Sequence, residues 1–183
     1  MNIKAMLVRL QSALDRNDLS EKMVLLPGLA STHSAQTNSK ETIKLVVGYN
    51  SSPNSHTALD FTLWIAHQTR LVTRKQVTVQ VVYVVDNNAT DLIAQADRIF
   101  QQAQYLADEW GGNLKTSVSY GSVATELRKV VEVEAAALLF LGCGSVNHQV
   151  VQELGSDFPC PVLGLPNTLT GKQITERTKE LSA

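Results

Sequence analysis

Gly142-Cys143-Gly144-Ser145, with Asn147, His148 and Gln149 behind it, is the stretch of this sequence best suited to hold an anion. It follows a wholly apolar run, Ala137-Leu138-Leu139-Phe140-Leu141, of the kind found in a strand buried on both faces. Gly142 and Gly144 allow a sharp turn without a Cβ penalty. Ser145 suits the N-cap of a helix from Val146 to Leu154, which Gly155 can end. A strand, a glycine turn and a helix N-terminus together offer backbone N–H groups and a positive dipole end to an anion. A second polar turn, Tyr49-Asn50-Ser51-Ser52, also leads from an apolar run into a helix. Ser51 and Ser52 can donate hydroxyls to a phosphate, but helix capping accounts for them equally well.

Other reactive side chains read as structural. Cys143 beside a helix N-terminus could carry a lowered pKa, although a small buried cysteine is the commoner case. His148, on the first turn of its helix, can reach a phosphate or simply be solvated. His56 and His67 share one helix at a spacing unsuited to a metal, and His33 stands in a polar stretch. Trp64 and Trp110 read as packing residues. No lysine follows the glycines as in a Walker loop, no carboxylate stands beside them to hold a metal, and no catalytic triad is visible. These features point to binding rather than catalysis, with no metal.

The elements that position the two turns alternate. Ile43 to Tyr49 reads as a strand, and Ser52 as N-cap with Pro53 at the first helical position starts a helix that runs to about Thr69. After a polar loop, Val77 to Val85 is a β-branched strand closed by Asp86-Asn87-Asn88. Asp91 to Trp110 has apolar residues at helical spacing and stops at Gly111-Gly112. Leu114 to Tyr120 is a strand, Val123 to Glu134 a helix, Ala137 to Leu141 a strand, and Pro161 to Leu165 a short last strand. Such alternation predicts an α/β fold: an open five-stranded parallel sheet with helices on both faces and right-handed crossovers. With strand order 3-2-1-4-5, the order reverses between the first and fourth strands, where ligands of such sheets sit. The two polar turns then converge by topology alone.

The remaining sequence bounds the answer. A chain of 183 residues accommodates one domain with tails. The formal charge of −1 with dispersed lysines and arginines gives no nucleic-acid footprint. No apolar run approaches the ~18 residues of a membrane span, and the N-terminus lacks the marks of a signal peptide. Two cysteines, Cys143 and Cys160, suit a reduced, cytoplasmic protein. Residues 1–41 form an extension: an amphipathic helix from Asn2 to about Asp15, then Met23-Val24-Leu25-Leu26-Pro27, then a linker rich in Ser, Thr, Asn and Gln. The helix's weakly basic polar face argues for docking on protein rather than membrane. Residues 42–166 are the domain and 167–183 a polar tail.

The domain resembles the universal stress proteins. Three pieces carry the likeness: Lys44-Leu45-Val46-Val47-Gly48-Tyr49-Asn50-Ser51-Ser52-Pro53, then Tyr120-Gly121-Ser122-Val123-Ala124-Thr125-Glu126-Leu127, then Leu139 through Pro166 with Pro159-Cys160-Pro161-Val162-Leu163. The family's opening reads apolar-Asp-x-Ser, its middle Gly-x-x-Ala, and its end Pro-Cys-Pro-Val. The resemblance implies an adenine nucleotide alpha-hydrolase-like fold and a cytoplasmic, dimeric, stress-linked regulator; some members bind an adenine nucleotide and others none. It puts an AMP, ADP or ATP site at Tyr49, Asn50, Ser51, Ser52, Gly121, Val123, Gly142, Cys143, Gly144 and Ser145.

Two departures weaken that site for ATP. Asn50 stands where nucleotide-binding relatives carry aspartate. Their Gly-x2-Gly-x9-Gly-Ser loop can be read here as Gly142, Ser145 and Gly155-Ser156, which abolishes the fourth helix. It can also be read with Gly144-Ser145 as the helix-opening pair, which deletes most of the loop. The helical spacing of Val146, Val150, Val151 and Leu154 favours the shortened loop. The alternative to a ligand-binding module is a ligand-free dimeric adaptor with an unidentified protein partner. A homodimer is expected through Pro161 to Pro166, an apolar edge strand with no lysine to discourage pairing, unless the extension or the tail covers that edge.

Overall fold

The computed structural model describes residues 24–26, 42–73, 75–85, 92–110, 114–145 and 147–166. The expected N-terminal helix, the linker, the polar tail and the turns at 86–88 and 111–112 lie outside them. In chain order the elements are β1 (Val24–Leu26), β2 (Ile43–Gly48), α1 (Pro53–Thr73), β3 (Val77–Val85), α2 (Leu92–Glu109), β4 (Leu114–Tyr120), α3 (Val123–Glu134), β5 (Leu138–Leu141), α4 (Gln149–Leu154) and β6 (Val162–Gly164).

The sheet order is β1-β6-β5-β2-β3-β4. From β4 to β6 the five strands are parallel and follow the order 3-2-1-4-5 expected from the alternation. Central β2 pairs with β3 on one side and β5 on the other, with Val47 opposite both Val81 and Phe140. Side chains alternate across a strand, so each strand feeds two cores. Val47, Phe140 and Leu163 pack under α1 and α2 with Phe61 and Ile65. Val46, Leu139 and Val162 pack under α3 and α4 with Leu127, Val131, Phe158 and Cys160. All four residues of β5 are buried, as its unbroken apolar run requires. Each such side chain contributes about 1.5–3 kcal/mol of burial.

The sheet has a sixth strand. Val24-Leu25-Leu26 pairs antiparallel with β6, Leu25 opposite Leu163. The edge expected to meet a second copy is therefore covered within the chain: β1 supplies the partner that the backbone groups of β6 need. Pro27, which has no N–H to donate, follows β1 directly.

Two helices differ from their expected bounds. α1 continues to Thr73 rather than Thr69, where Thr73 Oγ1 donates to the Thr69 carbonyl at 2.6 Å. Arg70 adds bonds to the Val77 carbonyl across the following loop, at 3.1 and 3.3 Å. α4 is shorter than expected and begins at Gln149, so Ser145 is not its N-cap; His148 occupies that position. The Ser145 hydroxyl accepts the Asn147 N–H at 3.1 Å and its carbonyl accepts the His148 N–H at 3.1 Å, forming a separate turn ahead of the helix. Gly155 ends α4, so Gly155-Ser156 does not open a helix. Arg128 of α3 then clamps the connection to β6, donating to the Leu154 carbonyl at 2.9 Å and pairing with Asp157 at 3.0 Å.

Candidate functional site

The turn after β2 is built by its own side chains. Asn50 Oδ1 accepts the Ser52 N–H at 3.2 Å, which closes an Asx turn. Ser52 caps α1: its hydroxyl accepts the Ser55 N–H at 3.3 Å, and its carbonyl accepts the His56 N–H at 2.9 Å. The Ser55 hydroxyl donates to the Ser52 carbonyl at 2.9 Å. Ser51 sits between them in the left-handed region, at φ 63°. Its hydroxyl donates to Gln102 of α2, on the opposite side of the sheet from α3 and α4.

The turn after β5 meets this one backbone to backbone. A Cβ on Gly142 would come within 2.3 Å of the Asn54 carbonyl carbon and the Ser55 nitrogen. Only glycine fits there. Gly144 similarly faces Pro166, the residue two past β6. The two loops therefore converge at the point where the strand order reverses.

A cleft of about 250 Å³ opens there. Its floor is Gly48, Val82, Val84 and Leu141 at the carboxyl ends of three strands; Val123 and Leu127 of α3 wall one side, and His148 and Val150 approach from the α4 side. Tyr49, Asn50, Ser52, Asn54, Ser55, Gly142 and Cys143 complete the lining. Of the residues the sequence singles out, Tyr49, Asn50, Ser52, Val123, Gly142, Cys143 and His148 thus line one cleft. Ser51, Gly121, Gly144 and Ser145 do not. Ser51 is turned to α2, Gly121 closes the end of β4 by donating its N–H to the Val85 carbonyl at 3.0 Å, and the Ser145 hydroxyl is engaged by Asn147.

Asn54, Ser55, Val82, Val84, Leu127, Leu141 and Val150 were not singled out in the sequence. The strand period carries a usable signal for two of them: Val82 and Val84 are alternate residues at the carboxyl end of β3.

The site's titratable groups are tuned mainly by burial. Burial pushes the Tyr49 phenol up to about 12, against a smaller opposing effect of the Ser51 hydroxyl. Its hydroxyl meets His56 Nδ1 at 3.0 Å, and burial holds that imidazole below its usual value, partly offset by the Ser51 backbone. Cys143 has no helix terminus behind it, and burial pushes its thiol up to about 11. These surroundings are the opposite of those that lower a thiol pKa. Among the described residues, no group of three His, Cys, Asp or Glu side chains could hold a metal ion. No described helix is long and apolar enough to cross a membrane.

No protein-family model and no curated protein matches the chain. Solved structures do resemble it. A protein of the universal stress protein family from Burkholderia pseudomallei is 23% identical, with a TM-score of 0.53 over 67% of this chain and 95% of that one. A universal stress protein in complex with cAMP is 17% identical, with a TM-score of 0.56 over 68% and 97%. A universal stress protein family protein from Arabidopsis thaliana with AMP bound is 14% identical, with a TM-score of 0.54 over 68% and 91%. The chain has the universal stress protein fold.

Proposed function

We propose that the chain is a regulatory protein of the stress response that works by binding, with a weak adenine-nucleotide site in the cleft between the turns after β2 and β5. The observation that carries this reading is the contact of Gly142 with the first turn of α1, which brings the two turns together around an open cleft. Fold alone does not fix function. The presence of cAMP and of AMP in two proteins of the same fold supports the ligand class. The cleft offers Asn50 and Asn54, whose amides can both donate to and accept from a base edge. On this reading the protein acts in the cytoplasm and no bond is broken in the cleft.

The test is direct. Protein purified without added nucleotide is heat-denatured, and any released small molecule is identified by mass spectrometry. Calorimetric titration then measures AMP, ADP and ATP. Sub-stoichiometric adenine nucleotide and weak, magnesium-independent ATP binding are expected. Tight, magnesium-dependent ATP binding would show a complete phosphate loop; no release and no binding would leave the ligand-free adaptor.

A further inference from the structure

We infer, building on the adenine-ligand reading of this cleft, that the cleft selects the uncharged nucleoside over its phosphorylated forms, because the N–H groups at two of the helix starts around it are bound within the chain and a carboxylate stands beside the third. At α1 the Ser55 and His56 N–H groups are both bound by Ser52, and Gly142 lies against the Asn54–Ser55 peptide. The turn before α4 has its Asn147 and His148 N–H groups bound by Ser145, and α4 is itself only six residues long. At α3 no Ser122 side-chain bond caps the helix, but a carboxylate of the chain stands there: Glu126 Oε1 is 3.5 Å from the Cβ position of Gly121. Glu126 is 15% exposed, and its partner Lys129, 2.6 Å away and 62% exposed, lies a turn further along the helix.

A negative charge at a helix N-terminus takes up the dipole that a phosphate would use, and it repels a second anion. The cleft has little else to offer a phosphate. Among the described residues that line it there is no lysine or arginine, and exposed His148 is the one basic side chain. A phosphate entering here leaves water for too few donors, so its desolvation is not recovered.

The rest of the lining suits an uncharged ring system. Val82, Val84, Leu127, Leu141 and Val150 supply apolar contact, and Asn50 and Asn54 supply edge hydrogen bonds.

The test is calorimetric titration of the full chain with adenosine, AMP and magnesium-ATP at fixed ionic strength. Adenosine is expected to bind at least as tightly as AMP, and ATP about ten-fold or more weakly than adenosine. Glu126→Gln should tighten AMP by about two- to five-fold while leaving adenosine unchanged. AMP or ATP binding more tightly than adenosine overturns the proposal and leaves the nucleotide reading standing. An AMP affinity unmoved by Glu126→Gln overturns it too. If none of the three binds, both this proposal and the nucleotide reading fall.

Discussion

Gly142 and Ser55 stand backbone to backbone: a Cβ on the first would lie 2.3 Å from the nitrogen of the second. Because the obstacle is the peptide of a capped helix and not a movable side chain, it cannot rotate away. Gly142→Ala should therefore destabilise the protein by about 3 kcal/mol, the upper end of the usual cost of overpacking. Urea denaturation measures it, and the variant should also lose affinity for any ligand of the cleft. An unchanged midpoint would mean that the two turns separate without cost.

That contact was legible in the sequence only as topology. The apolar runs at 43–49 and 137–141 and the turn residues after them fixed which loops meet. They did not say that the meeting would be a backbone contact at Gly142, since that depends on the entry angle of α1. The start of α4 differs from its expected position because a serine ahead of an apolar run can cap a helix or bind N–H groups of its own turn, and Ser145 does the latter. Val24-Leu25-Leu26 is legible as a short apolar segment of an extension that could cover the last strand, but three apolar residues before a proline carry no period to mark a strand, and their partner lies at Val162–Gly164. The lining valines of β3 were visible as strand residues but not as site residues, since that depends on which side of the sheet leaves a gap.

A second relationship invisible to local pattern joins α1 to the residue just after α2. Trp110 Nε1 donates to Asp60 Oδ1 at 3.0 Å, while Asp60 Oδ2 is buried without a partner among the described residues. Burial pushes the Asp60 carboxyl from its ordinary 3.8 up to about 6; the Trp110 bond opposes this and the charge of Glu109 adds to it. The folded protein keeps the Asp60 proton up to about pH 6, whereas the unfolded chain releases it near 3.8. Stability should consequently fall as pH rises through that window, with the full penalty, on the order of 3 kcal/mol, present above it. Asp60→Asn should flatten the slope between those two pH values and be at least as stable as the parent at pH 7. Urea midpoints against pH check this, and Trp110 emission should shift over the same range in the parent alone. A parent slope retained in Asp60→Asn would assign the titration to another group.

The two thiols should be inert in the folded protein. Cys143 and Cys160 are both buried, and burial pushes them up to about 11 and about 12. At neutral pH almost no thiolate forms, and the thiolate is the nucleophile. A chromogenic disulfide reagent at pH 7.5 should react at the rate of global unfolding and release two thiols only in denaturant. Fast reaction of one thiol in native buffer would mean that the Cys143 side of the cleft opens readily.

The pairing of β1 with β6 carries the last prediction. Leu25 faces Leu163 in antiparallel register. Directly opposed residues of such strands have Cα atoms about 4.5–5.5 Å apart, within the range a disulfide spans. Leu25→Cys with Leu163→Cys should thus oxidise to a single bridge. Leu163 belongs to the core under α1 and α2, whereas Cys143 and Cys160 belong to the opposite core, so neither native thiol is placed to compete. The connectivity of that bridge shows which copy supplies β1. A non-reducing gel is expected to show a compact monomer, because β1 completes the sheet of its own chain. Closing so long a loop should also raise stability by about 4–5 kcal/mol over the reduced form. A covalent dimer would show instead that copies exchange β1, and then the last-strand association expected from the sequence would operate by swapping. Failure to cross-link in either form would mean that β1 does not hold the β6 edge, leaving that edge free for a second copy to pair with directly.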